Sequence, residues 1–128
     1  MQLTLQRPDH QFVLRGADGN FALVNQLRLT RSFVIAPDRL IEQWAATDVR
    51  ALAAADLDPL LALDPEVILL GSGATQAFPP AATLAACLSR GIAIEVMTNA
   101  AAARTFNVLA GENRRVVAGF LLPGRSVP

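Results

Sequence analysis

The residues of this chain that could do chemistry gather in two places. Gly71-Ser72-Gly73 follows the apolar run Val67-Ile68-Leu69-Leu70, with Gln76 just beyond. Glycines between a buried strand and a helix are how dinucleotide-binding proteins hold a pyrophosphate at a helix N-terminus. That fingerprint wants a third small residue where Gln76 stands, and Pro79-Pro80 delays the helix. Glu95 lies roughly where a ribose-binding acid would be. The plainer reading is a tight turn leaving a central strand. The second place is 98–107. Thr98 and Asn99 stand at the start of a predicted helix, where N–H groups are free and the dipole is positive. Arg104 and Asn107 are three apart and share a face, opposite Phe106 and Leu109. Together Gly71, Ser72, Gly73, Gln76, Thr98, Asn99, Arg104 and Asn107 can line a polar notch at the C-terminal edge of a sheet, where open α/β sheets take ligands. The competing reading is a solvated helix face with a capped end.

Other chemistry is narrowed by what the chain lacks. All eleven basic residues are Arg, so a catalytic or Schiff-base Lys and the P-loop Lys are excluded. The one Cys and one His exclude an intrachain disulfide, a Cys-rich metal site and a multi-His metal site. Ser72 is out of frame for a nucleophile elbow and has no His near it, since His10 lies in the N-terminal arm. Cys87 falls in an apolar helical stretch and reads as a small buried hydrophobe. The acids are scattered, with no pair for acid–base work. Eleven Arg balance eleven Asp and Glu, which leaves no electrostatic footprint for nucleic acid. No secretory signal and no apolar stretch long enough for a membrane helix is visible, so the expectation is a cytoplasmic chain without membrane insertion. No catalytic residue, metal site or cofactor is assigned.

The elements that must position these residues follow from period and turn chemistry. At 128 residues the chain reads as a single domain, residues 1–128, with 1–11 as a loose polar arm. Phe12–Arg15 and Phe21–Val24 read as a hairpin about Gly16–Asn20. Residues 26–31 alternate with period 2, and Ser32–Ala36 is continuously apolar. Pro37-Asp38 suits a type I turn, so Leu40–Trp44 is expected to return as a strand, with a short helix face over Leu40, Ile41 and Trp44 as the alternative. Leu52–Leu63 is helical in character, starting near Asp56 so that Pro59 falls in the first turn. Val67–Leu70 and Ile92–Val96 are predicted as neighbouring parallel strands in the sheet interior. A helix from Pro80 joins them, with Ala81, Leu84, Ala85 and Leu88 as its core stripe. Thr98 caps a helix to Ala110 with Ala102, Phe106 and Leu109 buried, and Arg115–Leu122 is the last strand. The N-terminal half is thus β-rich and the C-terminal half α/β.

Four segments form an ordered series: Val67–Gly73, Gly91–Thr98, Ala102–Leu109 and Glu112–Ala118. With Ser32-Phe33 and Trp44, this series resembles a family of small proteins of unknown function from bacteria, archaea and eukaryotes. That family includes a mitochondrial respiratory complex I assembly factor and an adipogenesis-associated protein. The resemblance covers about residues 12–123. It implies an α/β fold of three layers around a mixed five-stranded central sheet, one strand antiparallel to the rest, with Leu40–Trp44 a strand. It brings no catalytic residues and no cofactor. This chain departs from it in having Phe106 where the family has Tyr, so that position offers no hydroxyl.

The functional expectation is a non-catalytic binding protein, assembly-factor-like, whose partners by resemblance would be protein subunits of a respiratory complex. The alternative is a small-molecule or anion binder, or an enzyme, using the edge formed by residues 71–76 and 98–107.

Overall fold

Among the described residues, strands separated by glycine, asparagine and proline turns come first, and helices enter only afterwards. A computed structural model describes residues 11–124; the arm proposed for residues 1–11, His10 included, lies outside them except for Gln11. Three short strands come first: β1 (Leu14–Ala17), β2 (Ala22–Val24) and β3 (Leu27–Leu29). They pair antiparallel in sequence order. Asp18 shapes the first turn by accepting from the N–H groups of Asn20 and Phe21 at 2.7 and 3.0 Å. Asn25 makes the second turn, with φ at 52°, a conformation Asn tolerates better than most residues.

The larger sheet has the order β5-β4-β8-β6-β7. Its strands are β4 (Arg31–Ala36), β5 (Arg39–Ile41), β6 (Val67–Gly71), β7 (Ala93–Met97) and β8 (Val116–Pro123). β4 runs antiparallel to both β5 and β8, while β8, β6 and β7 are parallel. The expected mixed sheet with one reversed strand is therefore present. Three helices flank it: α1 (Asp58–Leu61), α2 (Ala81–Leu88) and α3 (Asn99–Gly111).

The three layers follow from alternation along β6. Val67 and Leu69 belong to a core with Leu14, Val24, Phe33, Phe106 and Phe120, under α3 and the small sheet. Ile68 and Leu70 belong to a second core with Trp44, Leu57, Leu60 and Cys87, under α1 and α2. A strand covered on both faces needs the continuous apolar run that β6 shows. Phe33 and Phe120 stack across β4 and β8 with centroids 4.9 Å apart.

Several sequence expectations shift. The first strand begins at Leu14 rather than Phe12. The backbone before it is tied elsewhere, with the Gln11 and Phe12 N–H groups donating to the Pro37 C=O. The return strand after Pro37-Asp38 stops at Ile41, and Trp44 turns inward. Its Nε1 donates to the Asp56 C=O at 2.8 Å, and its ring lies against the bare backbone of Gly119. The helix expected from about Asp56 is a 3₁₀ turn, Ala54–Leu57, that passes into α1 at Asp58. β7 is parallel to β6 as expected but is an edge strand, not an interior one.

The largest correction concerns α2. Its buried residues are Thr83 and Cys87, whereas Ala81 and Ala85 are exposed and Leu88 is 64% exposed. The Thr83 hydroxyl fixes the rotation by donating to the Leu52 C=O at 2.6 Å. With Thr83 turned inward, that bond satisfies its buried hydroxyl, which would otherwise be costly.

Candidate functional site

Parallel β6 and β7 both end at the same side of the sheet, and there the 71–76 loop meets the start of α3. Gly71 is the last residue of β6, and its Cα faces the Asn99 amide; a Cβ there would collide with Asn99 Oδ1 and the Phe120 ring. Glycine at this position is thus a packing requirement. Gly73 has φ at 109°, in the region that favours glycine.

Asn99 is the centre of the arrangement and is fully buried. Its Oδ1 accepts from the Gly73 N–H at 3.1 Å. Its Nδ2 donates to the C=O groups of Asp18 and Leu121, each at 3.0 Å. One side chain therefore joins the 71–76 loop, the first hairpin and the C-terminal half of β8. Its own N–H donates to the Gly73 C=O at 2.9 Å. Thr98 caps α3 as expected, its Oγ1 accepting from the Ala101 N–H, and its C=O takes the Ala102 N–H. Most of the first-turn donors of α3 thus already have partners.

The remaining candidates divide in the same way. Ser72 Oγ donates toward the C=O groups of Thr75 and Met97 at 2.8 and 3.2 Å and accepts from the Ala77 N–H. Gln76 Nε2 donates to the Val96 C=O at 2.9 Å. Asn107 lies on the far flank of α3, where its amide pairs with the Leu14 backbone in both directions, binding helix to small sheet. The Arg104 side chain is exposed and its guanidinium makes no hydrogen bond or ion pair with any described residue. The structure thus brings Gly71, Ser72, Gly73, Gln76, Thr98 and Asn99 together. It sets Asn107 and Arg104 apart from them along α3.

Arg115 stands at the start of the last predicted strand. In the fold its Nε donates to the Leu63 C=O and its NH1 meets Asp38 Oδ1 at 2.7 Å. That guanidinium holds the Asp38 carboxyl below the usual carboxylate range, against a smaller opposing effect of desolvation. Arg114 pairs with Glu66 at 3.4 Å. Only the proximity of Arg114 and Arg115 to a strand start was visible in one dimension. Cys87 is buried, which pushes its thiol up, with Arg90 partly offsetting this. Among the described residues no group of three or more His, Cys, Asp and Glu side chains is placed to hold a metal ion. Nor is any helix among them long and apolar enough to cross a membrane. A shallow cleft of about 200 Å³ lies elsewhere, lined by Arg28, Thr30, Arg31, Glu42 and Gln43.

Proteins of known structure share this fold. A Xanthomonas campestris protein solved by NMR is 49% identical, with a TM-score of 0.84 over 100% of this chain and 97% of that one. A Bordetella pertussis protein described as a Mth938-like domain is 28% identical, with a TM-score of 0.77 over 99% of this chain and 96% of that one. A Francisella tularensis subsp. holarctica protein named "13 kDa major membrane protein" is 35% identical over 118 residues, 89% of this chain and 95% of that protein. The model of one family of unknown function, DUF498/DUF598, matches residues 15–121, and the chain belongs to that family.

Proposed function

We propose that this chain is a non-catalytic binding protein whose partner is a membrane-bound protein assembly of the respiratory type. The observation that carries the first half is the hydrogen-bond use at the loop–helix edge. Ser72, Gln76, Thr98 and Asn99 all bond to the chain's own backbone. General acid–base or nucleophilic chemistry needs a group positioned beside a base and free to reach substrate, and no such pair stands at this edge. The second half rests on the resemblance carried by the ordered segments from Val67 to Ala118. The Francisella relative's name, "13 kDa major membrane protein", adds support.

The test is sedimentation with native respiratory membranes. The purified chain is expected to co-sediment with them, and to stop doing so after the membranes are treated with protease. Equal binding to protein-free vesicles of the same lipids would sink the reading. So would turnover of common substrates that is lost in Ser72→Ala.

One observation favours a second reading, a small anion held at the flank of α3. Arg104 is an exposed guanidinium with no acid on it among the described residues. Phosphate would then raise the melting temperature, and Arg104→Ala would abolish the rise.

A further inference from the structure

We infer that β7 is a self-association edge, and that two copies of the chain pair β7 with β7 antiparallel about a two-fold axis at Ile94. The phase of the strand comes from one bond. The Ser72 N–H donates to the Met97 C=O at 2.9 Å, continuing the β6–β7 ladder. In a parallel ladder the residues of one strand alternate between facing the partner and facing away. Met97, Glu95 and Ala93 therefore face β6, and Val96, Ile94 and, one residue before the strand, Ile92 turn their backbone groups outward.

Not all of the outward groups are open. The Val96 C=O is taken by Gln76 Nε2, and the Ile92 N–H donates to the Cys87 C=O at 3.1 Å. What remains open among the described residues is the N–H and C=O of Ile94, the N–H of Val96 and the C=O of Ile92. An antiparallel pair centred on Ile94 sets Ile94 against Ile94 of the second copy, and Val96 against its Ile92. Each open N–H then meets an open C=O, and the two groups already occupied are the two that would otherwise have faced each other. Shifting the register by two residues in either direction leaves an Ile94 group without an open partner. One of those shifts also sets Glu95 against Glu95, and like charges directly opposite are destabilising. The Ile94 register puts Glu95 across from Ala93 instead.

The side chains agree with the backbone. Ile92, Ile94 and Val96 are only partly buried, on the α2 side of the sheet. Above them α2 carries no charged residue, and it turns Ala81, Ala85 and Leu88 to solvent. Phe78, just before it, is 57% exposed. A helix that is apolar on its outer face as well as its inner one is normally covered. A two-fold axis at Ile94 keeps both α2 helices on one side of the joined sheet, so each covers the other with the same surface, as an isologous contact requires. Five strands from each copy form one continuous sheet with no edge at its centre.

Sedimentation equilibrium of the full chain over a concentration series tests this. The mass is expected to rise with concentration toward twice the 13.6 kDa protomer. Ile94→Pro deletes the central N–H at a position where it makes no internal bond, and Pro is tolerated where an edge N–H faces out. That variant is expected to keep the parent's circular dichroism and to sediment as a monomer. Leu88→Arg, at an exposed position, is expected to weaken association by more than about tenfold, and it decides alone if Ile94→Pro unfolds. A parent that stays at the protomer mass at millimolar concentration overturns the inference, as does a dimer that a folded Ile94→Pro leaves intact.

Discussion

Asn99 and Phe106 stand seven residues apart on α3, and one was far easier to read than the other. Phe106 falls on the period of Ala102 and Leu109, and it is fully buried among Phe33, Leu69 and Phe120. Phe106→Ala is expected to cost about 3–5 kcal/mol of stability, read from the denaturant midpoint. Asn99 was legible only as a polar residue at a helix start, which suits a ligand site as well as a structural tie. Its partners, Asp18 and Leu121, lie 81 and 22 residues away, and no local pattern encodes them. Asn99→Asp keeps the acceptor facing Gly73 but turns a carboxylate oxygen toward two C=O groups. Burial and those carbonyls favour the protonated acid, so its folded-state pKa is raised. The variant's stability deficit should therefore shrink as the pH falls from neutral toward 4 and widen as it rises. A deficit that does not change with pH would show that the amide N–H groups are not what holds the site.

At the scale of elements, the strands were legible where one face or both had to be buried, and the phase of α2 was not. Ala81–Leu88 is apolar nearly all round, so its period selects no face; one buried hydroxyl, Thr83, sets the rotation. The edge position of β7 was hidden for a related reason: Ile92–Val96 looks like an interior strand because α2 covers its even-numbered side chains. The end of β5 at Ile41 depends on Trp44, whose ring needs the bare backbone of Gly119 across the core. A Cβ at Gly119 would come within 2.7 Å of that ring and 3.2 Å of Leu60. Gly119→Ala is therefore expected to cost about 1–3 kcal/mol and to shift the emission of the single Trp to longer wavelength. The Asp38–Arg115 pair joins the β4–β5 turn to the start of β8. Its carboxyl is largely exposed, so the pair is worth at most about 1 kcal/mol. Because the folded-state pKa is depressed, that contribution is present above the unfolded value and is lost as the pH falls through the folded one. Asp38→Asn should thus differ slightly from the parent at neutral pH and not at all in strong acid.

On the scale of the whole molecule, the two cores meet across β6 and β8, and α2 lies at the outer margin of one of them. Cys87, on the inner face of α2, reports on how firmly that margin is held. Its thiol is buried and its ionisation is disfavoured, and thiolate is the reactive form. Native protein should resist alkylation. If α2 stays attached until the sheet opens, labelling in low denaturant should follow the loss of Trp44 signal. If α2 detaches first, Cys87 should label while Trp44 still reports a folded core, as expected of a separate cooperative unit.

The place of β8 has a consequence for the order in which the chain can fold as it is made. Among the described residues it is the last strand in sequence, yet it lies between β4 and β6, the pairings on which both cores are built. Until residues 116–123 have left the ribosome, β4 holds only the short β5, and β6 only β7. Synthesis at about 5–20 residues per second keeps these unpaired edges waiting for several seconds. A chain ending at residue 115 should accordingly show no cooperative unfolding transition. In the cell, the nascent protein is most exposed to misfolding just before β8 arrives.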